Sequence, residues 1–300
     1  MDRYGFEGRV AVVTGAGRGI GRAHARLLAA RGASVVVNDL GGSTAGNGAD
    51  AGPAAEAVDE IVAAGGVAVA DTSDVSQEAG ACTLIATAVE RFGRIDAVVN
   101  NAGIIRWKGF PEADAENLER HLAVHVGGSF HTSRAAWPHF VEQGYGRIVN
   151  TTSSGMFGLP NNVGYATAKA AVVGLTRSLA TAGVEHGIRC NLVAPAAFTR
   201  MAGTADDDSP MAAAMAPDLV APMVAFLAHE DCPVTGEIYS AGAGRFARIF
   251  IAQAEGWVDG TGAPAVEDVA AHWAQINDES SYTVPADLME WSAAFMAHLQ

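Results

Sequence analysis

The sequence predicts an α/β fold: a doubly wound parallel sheet of seven strands, with a helical extension at the C-terminus. Three observations carry this. Short valine-rich runs alternate with helical patterns, as strands covered on both faces of a parallel sheet do. The first run feeds straight into a glycine-rich turn that opens a helix. Hydrophobic residues make up 49% of the 300, enough for a large core. We place the sheet domain at residues 1–245 and the extension at 246–300.

Val10–Thr14 is the first strand. It runs into Gly15-Ala16-Gly17-Arg18-Gly19-Ile20-Gly21, then a helical pattern through Ala23, Leu27 and Leu28 that stops at Gly32. Glycines between strand and helix let the backbone approach a pyrophosphate, which the helix N-terminus binds. This context makes the fold Rossmann-like and the turn a dinucleotide cradle. A second strand over 34–37 ends in Asn38-Asp39. Asp39 follows Gly21 by 18 residues, where an acid accepts hydrogen bonds from an adenosine ribose. A carboxylate there repels a 2′-phosphate and favours NAD over NADP. Arg18, a base within the turn, points the other way.

Residues 40–52 read as a mobile Gly/Ala/Asn-rich loop, and a helix starts near Pro53. A strand at 67–70, a turn at Asp74-Val75 and a helix to Phe92-Gly93 follow. The fourth strand, 96–100, exits into Asn101-Ala102-Gly103, whose small residues suit the floor of a nucleotide crevice or simply a turn. Residues 114–143 read as helix and carry His121, His125, His131 and His139. His121 and His125 are four apart, but no third ligand accompanies them, so no metal is expected.

The fifth strand ends at Asn150 and leads into a hydroxyl cluster, Thr151-Thr152-Ser153. The helix over 163–185 carries Tyr165 and, four residues on, Lys169, so both share a face. A free phenol titrates near ~10, and a neighbouring cation lowers that value. A tyrosine tuned this way can take a proton from an alcohol or return one to a carbonyl oxygen. Of 19 basic residues only Lys108 and Lys169 are lysine, which suits a need for a shiftable ammonium at 169. The sixth strand, 188–193, ends in Ala194-Pro195-Ala196-Ala197-Phe198-Thr199. Residues 202–216 read as a flexible flap over substrate or as an ordinary loop. A helix at 219–227 and a strand at 237–240 complete the alternation, and 264–300 carries two amphipathic helical patterns.

The formal charge of −14 argues against nucleic acid or an anionic membrane as partner. Cys82, Cys190 and Cys232 show neither disulfide nor zinc spacing. The N-terminus has no apolar signal core, and the apolar runs look too short to span a bilayer. The expectation is a cytoplasmic protein acting on a small molecule, as a homodimer or homotetramer.

Taken in order, T-G-A-G-R-G-I-G at 14–21, N-N-A-G at 100–103, the serine-bearing strand, Y-A-T-A-K at 165–169 and the turn at 195–199 resemble the short-chain dehydrogenase/reductase family over roughly residues 5–245. V-V-V-N-D-L-G-G at 35–42, V-H-V-G-G-S-F at 124–130 and A-P-A-A-F-T-R-M at 194–201 are similar to its (3R)-hydroxyacyl-CoA dehydrogenase branch, found in peroxisomal multifunctional β-oxidation enzymes, whose relatives also oxidise 17β-hydroxysteroids. The resemblance implies an NAD-dependent enzyme interconverting a secondary alcohol and a ketone. Its general base would be Tyr165, with Ser153 orienting the substrate oxygen. Lys169 would hold the nicotinamide ribose and lower the Tyr165 pKa. Cofactor would lie on Gly15, Arg18, Gly19, Ile20, Gly21, Asp39, Asp74, Val75, Asn101, Ala102, Gly103, Tyr165, Lys169, Pro195, Phe198 and Thr199. Met156, Phe157, Trp107, Phe198 and Met201 would line an apolar substrate pocket or pack internally.

Two positions depart from the family pattern. His125 stands where many members have asparagine. The serine-to-tyrosine spacing is 12 rather than thirteen, so counting back from Tyr165 selects Thr152 and counting along the strand selects Ser153. Strand alternation favours Ser153. The rival readings are an NADPH-dependent 3-oxoacyl reductase and a catalytically silent nucleotide-binding scaffold.

Overall fold

The valine-rich runs build one sheet, from β1 (Val10–Thr14), β2 (Ser34–Asn38), β3 (Val67–Asp71), β4 (Ala97–Asn100), β5 (Gly146–Thr151), β6 (Ile188–Pro195) and β7 (Ile238–Gly242). These seven pair in parallel in the order β3-β2-β1-β4-β5-β6-β7. This computed structural model describes residues 4–201, 209–260 and 262–299.

Successive strand side chains point to opposite faces, and the core divides accordingly. Val13, Val35, Val99 and Val149 pack with Leu28 of α1 (Gly19–Ala30), Ile61 of α2 (Gly52–Ala63) and Leu227 of a later helix, Ala221–Ala228. Val12, Val36, Val98 and Ile148 pack on the other face, with Leu84 from α3 (Glu78–Phe92) and Phe140 from Gly128–Gln143. The strand order reverses between β1 and β4, and the carboxyl ends of the strands open a crevice there.

The sheet has eight strands, not seven. Ala243 and Gly244 both take positive φ (50° and 74°), the conformation of a two-residue hairpin turn, and β8 (Arg245–Ile249) lies beside β7. The helix expected over 114–143 is also interrupted. It comprises α4 (Ala115–His121), a wider π-helical turn at Leu122–Gly127 and α5 (Gly128–Gln143). Six residues are too few for side-chain periodicity to tell the two windings apart.

The loop after β2 folds back on itself: Asp50 N–H donates to Leu40 O at 2.9 Å, and Ser43 and Asn47 close an inner turn. Of the expected flap, residues 202–208 lie outside the described residues, whereas Ser209 caps a short helix, Pro210–Ala214. By composition Pro210–Ala228 is long and apolar enough to cross a bilayer, contrary to the expectation from sequence. It is not one helix, however: it breaks at Met215 and again before Ala221, and Val224 and Leu227 enter the core.

Contacts divide the chain into two units, Met1–Arg248 and Ile249–Gln300. The second holds helices Val266–Ala271, Trp273–Ile276 and Leu288–Phe295 and a small antiparallel pair, Gln253–Ala254 with Tyr282–Thr283. None of its described residues is buried, and Val266, Trp273, Leu288 and Leu299 are all well exposed.

His24, on the buried face of α1, has no hydrogen-bond partner at either ring nitrogen, and burial pushes its pKa down to about 3. An unpartnered buried polar group costs ~1–3 kcal/mol, so His24→Leu should raise stability by about that much. Below pH 6.5 the unfolded chain takes up a proton that the folded chain refuses until pH 3. Stability therefore falls as pH drops through that window, by ~1.4 kcal/mol per unit. Thermal melts at pH 7 and pH 5 should show a larger acid loss in the parent than in the variant.

Candidate active site

The glycine turn fits where it does because it lacks side chains. Gly15 has φ +62°, and a Cβ on it would sit 2.8 Å from Ala102 Cα. A Cβ on Gly21 would collide with the Gly15 carbonyl. The turn is latched to the end of β4. Asn101 N–H and Ala102 N–H donate to Thr14 Oγ1 at 3.0 Å, and Asn101 Nδ2 donates to Thr14 O and Gly15 O. The Asn101 side chain is thus committed to the turn. No side chain caps the N-terminus of α1 and no acid stands in its first turn, which leaves its amides for an anion.

A cleft of about 720 Å³ lies over this cradle. Gly15, Asp39 and residues 18–20, 74–75, 101–103 and 198–199 face it, as does Met201. Gly21, Pro195, Tyr165, Lys169 and Ser153 are not among its walls; nor are Trp107, Met156 or Phe157. Asp39 is nearly buried. Its Oδ2 accepts from Gly17 N–H at 2.9 Å and its Oδ1 from Gly41 N–H at 2.7 Å.

The hydroxyl cluster, tyrosine and lysine meet at the end of β5. Asn162 caps α6 (Val163–Gly183), its side-chain oxygen accepting from Tyr165 N–H at 3.2 Å, and this fixes where the helix begins. Lys169, one turn on, is buried and donates from Nζ to Thr151 O at 2.8 Å. Thr152 is fully buried, its hydroxyl donating to Lys169 O at 2.7 Å. Ser153 therefore supplies the hydroxyl on the tyrosine's side: its Oγ accepts from Gly155 N–H at 3.1 Å and lowers the pKa of the Tyr165 phenol. Strand alternation, not the count back from Tyr165, decides which hydroxyl faces the tyrosine.

Two histidines back this tyrosine. His125, in the π-helical turn, and His121 stack at 6.0 Å, 7° from parallel. Both present themselves edge-on to Tyr165, at 5.4 and 6.1 Å. His121 Nδ1 donates to Asn117 O at 2.7 Å and its Nε2 accepts from Arg106 N–H at 3.2 Å, which sets a neutral tautomer. His125 Nε2 lies 2.9 Å from Ile104 O, and a Cβ on Gly103, a cleft wall, would sit 2.6 Å from the His125 ring. The His125 ring thus touches both Tyr165 and Gly103 of the cleft wall.

Residues 9–210 match the family model described as short chain dehydrogenase. The chain belongs to the short chain dehydrogenase family. A short-chain type dehydrogenase/reductase of Mycobacterium tuberculosis is 46% identical over 92% of this chain and 96% of its own. Peroxisomal multifunctional enzyme type 2 of Mus musculus is 42% identical over 95% of this chain, which spans 39% of that larger protein. The full-length peroxisomal multifunctional enzyme type 2 of Drosophila melanogaster superimposes with a TM-score of 0.81 at 33% identity, over 98% of this chain and 50% of that one. The family binds a nicotinamide dinucleotide, NAD or NADP.

The site's electrostatics depart from the sequence expectation. Burial pushes the Lys169 ammonium down to about 7, so it is only partly charged at neutral pH. Burial also raises the Tyr165 phenol, and the Ser153 hydrogen bond offsets part of that. Lys169 does not lower the phenol here: its Nζ is 5.7 Å from the ring centroid and aimed at Thr151 O. Burial, with Lys169 adding to it, holds His125 well below its usual pKa and favours the neutral ring.

Sequence reasoning missed Arg120, Arg200, Ser73 and the 40–46 wall of the cleft. Arg200 had a visible signal, since it directly follows Thr199. The 40–46 wall had none, because a run of small polar residues does not say what it folds over.

Proposed function

We propose that this dehydrogenase is an NAD(H)-dependent enzyme interconverting a secondary alcohol and a ketone on a bulky apolar substrate, a 3-hydroxyacyl-CoA or a hydroxysteroid. The observation that carries the reading is the meeting of Ser153, Tyr165 and Lys169 behind the dinucleotide cleft. The uncapped glycine cradle and Asp39 fit the dinucleotide, with Asp39 toward its adenosine ribose and Lys169 toward its nicotinamide ribose. When bound, the nicotinamide supplies the hydride acceptor. Tyr165 takes the hydroxyl proton of the substrate, and Ser153 orients that oxygen and stabilises charge developing on it.

The apolar substrate is supported by exposed aromatics, Trp107, Phe110 and Phe157, on two adjoining loops next to the site. Val163 N–H donates to Lys108 O at 3.3 Å and joins those loops. The similarity to multifunctional enzymes along nearly the whole chain supports the acyl-CoA class. We also propose a cytoplasmic homodimer or homotetramer; the three free cysteines and the exposed apolar side chains of 249–300 support it.

A second reading, an NADPH-dependent 3-oxoacyl reductase, is favoured by one observation. Arg18 and Arg200 both act on the Asp39 end of the cleft.

The test is absorbance at 340 nm with NAD and with NADP, against 3-hydroxyacyl-CoA esters of several lengths and 17β-hydroxysteroids. NAD reduction with one class fits the proposal. NADP preference promotes the second reading, and silence across the panel with dinucleotide still binding withdraws the substrate class. In the same assay Ser153→Ala should lose ~10²-fold in kcat. Oxidation needs the deprotonated phenol, and the lost hydrogen bond lets the Tyr165 pKa rise further. The ascending limb of the rate profile, where rate grows with pH, should therefore move to higher pH.

A further inference from the structure

The loop 40–50 closes on itself after Asp39, and its residues Leu40, Gly42, Ser43 and Gly46 form one wall of the cleft. Arginines from other elements hold it from outside. Arg106 donates from Nε to Ala45 O at 2.8 Å and from Nη2 to Asn47 Oδ1 at 3.0 Å. Arg120 donates from Nη2 to Gly46 O at 3.0 Å. The loop main chain also binds directly, with Ile105 N–H donating to Thr44 O at 2.8 Å. A segment with four glycines and no buried residue holds this shape through these bonds.

Arg106 faces the other way as well. Its N–H donates to His121 Nε2 at 3.2 Å, and its carbonyl accepts from Asn117 Nδ2 at 2.9 Å. Asn117 and His121 in turn form the surface on which the first turn of α6 rests. A Cβ on Gly164 would sit 3.0 Å from His121 Nδ1, and the His121 ring meets the Tyr165 ring edge-on. One residue thus joins the wall of the dinucleotide cleft to the support of the tyrosine. Its side chain serves the first, with Nη1 also donating to Glu116 Oε1 of α4 at 3.1 Å, and its backbone serves the second.

We infer that Arg106 is a positioning residue that couples closure of the 40–50 strap over the dinucleotide to the placement of Tyr165. Dinucleotide against Leu40, Gly42 and Gly46 stiffens the strap. Arg106 then holds the 104–106 segment, and through it Asn117 and His121, against α6. The coupling rests on the dinucleotide reading above and is independent of which substrate the enzyme takes.

Arg106→Gln cuts the side-chain ties to the strap and the pair with Glu116, and leaves both backbone bonds in place. Calorimetric titration with NAD and NADP should show the better-bound dinucleotide weakened about tenfold, the loss expected for roughly one net hydrogen bond to a charged group. Amide hydrogen exchange supplies the readout that a merely structural anchor would not move. In the parent, dinucleotide should slow exchange in 40–50 and also in 115–121 and 162–169. In Arg106→Gln the distant protection of 162–169 should vanish, while Arg120→Gln, which removes a strap bond but leaves Arg106 in place, and Glu116→Gln, which removes only the Arg106 pair with α4, should keep it. Arg106→Lys, which retains the charge but reaches one acceptor, should fall between, and it carries the test if the glutamine variant melts early. Full protection of 162–169 in both Arg106 variants overturns the inference, as does its loss in Arg120→Gln to the same degree. Failure of the parent to bind either dinucleotide is a different result: it removes the dinucleotide reading itself.

Discussion

Tyr165→Phe is expected to lower kcat/KM by ~10²–10⁴-fold, the usual worth of a positioned acid–base group, and to leave dinucleotide affinity within about twofold. The change removes one oxygen and little else. The ring's edge contacts with His125 and His121 survive in phenylalanine. Lys169 is not orphaned, because its ammonium donates to Thr151 O rather than to the phenol. Ser153 keeps its bond from Gly155 N–H at 3.1 Å. A folded, dinucleotide-binding, inactive variant is therefore the predicted outcome. Steady-state rates, calorimetric titration and a thermal melt on the same preparation check it. A variant that retains full rate with every active substrate would remove Tyr165 as the base. Equal silence of parent and variant, with dinucleotide bound, would favour the scaffold reading.

What the sequence made legible follows from where side chains decide the structure. Val12, Val36, Val98 and Ile148 had to be strand residues of a doubly covered sheet, because no other setting buries such short apolar runs on both sides. Tyr165 and Lys169 had to share a face once their segment was helical. Ser153 was chosen over Thr152 by alternation, and the Thr152 bond to Lys169 O shows why the two hydroxyls differ. The unreadable parts are set by the backbone or by distant partners. The π-helical turn at Leu122–Gly127 changes hydrogen-bond winding without a side-chain signature. The 40–50 strap is held by Arg106 and Arg120, which lie far along the chain. The direction of the Tyr165 shift failed for a related reason: spacing reports that a cation is near but not how dry the site is, and burial prevails.

The parent enzyme is expected to prefer NAD, and Asp39→Ala should reverse that preference, changing the NAD-to-NADP ratio of kcat/KM by ~10²-fold, about 2.7 kcal/mol. Three charged groups meet at this end of the cleft. Both Asp39 oxygens already accept a backbone N–H, which holds the carboxylate in place with lone pairs left for a ribose diol. Arg200 lies between opposing influences, its pKa lowered by burial and by Arg18 and raised by Asp39. Without the acid, Arg18 still acts against Arg200 and the Asp39 carboxylate no longer offsets it; a 2′-phosphate would restore the balance. Arg200→Ala in the Asp39→Ala background should therefore take most of the gain with NADP away again. The same Arg200→Ala change in the parent should alter NAD use only slightly, since a ribose hydroxyl needs no cation. If the parent already prefers NADP, the two arginines outweigh the carboxylate, and Asp39 then serves chiefly to hold Gly17 and Gly41 rather than to select the cofactor.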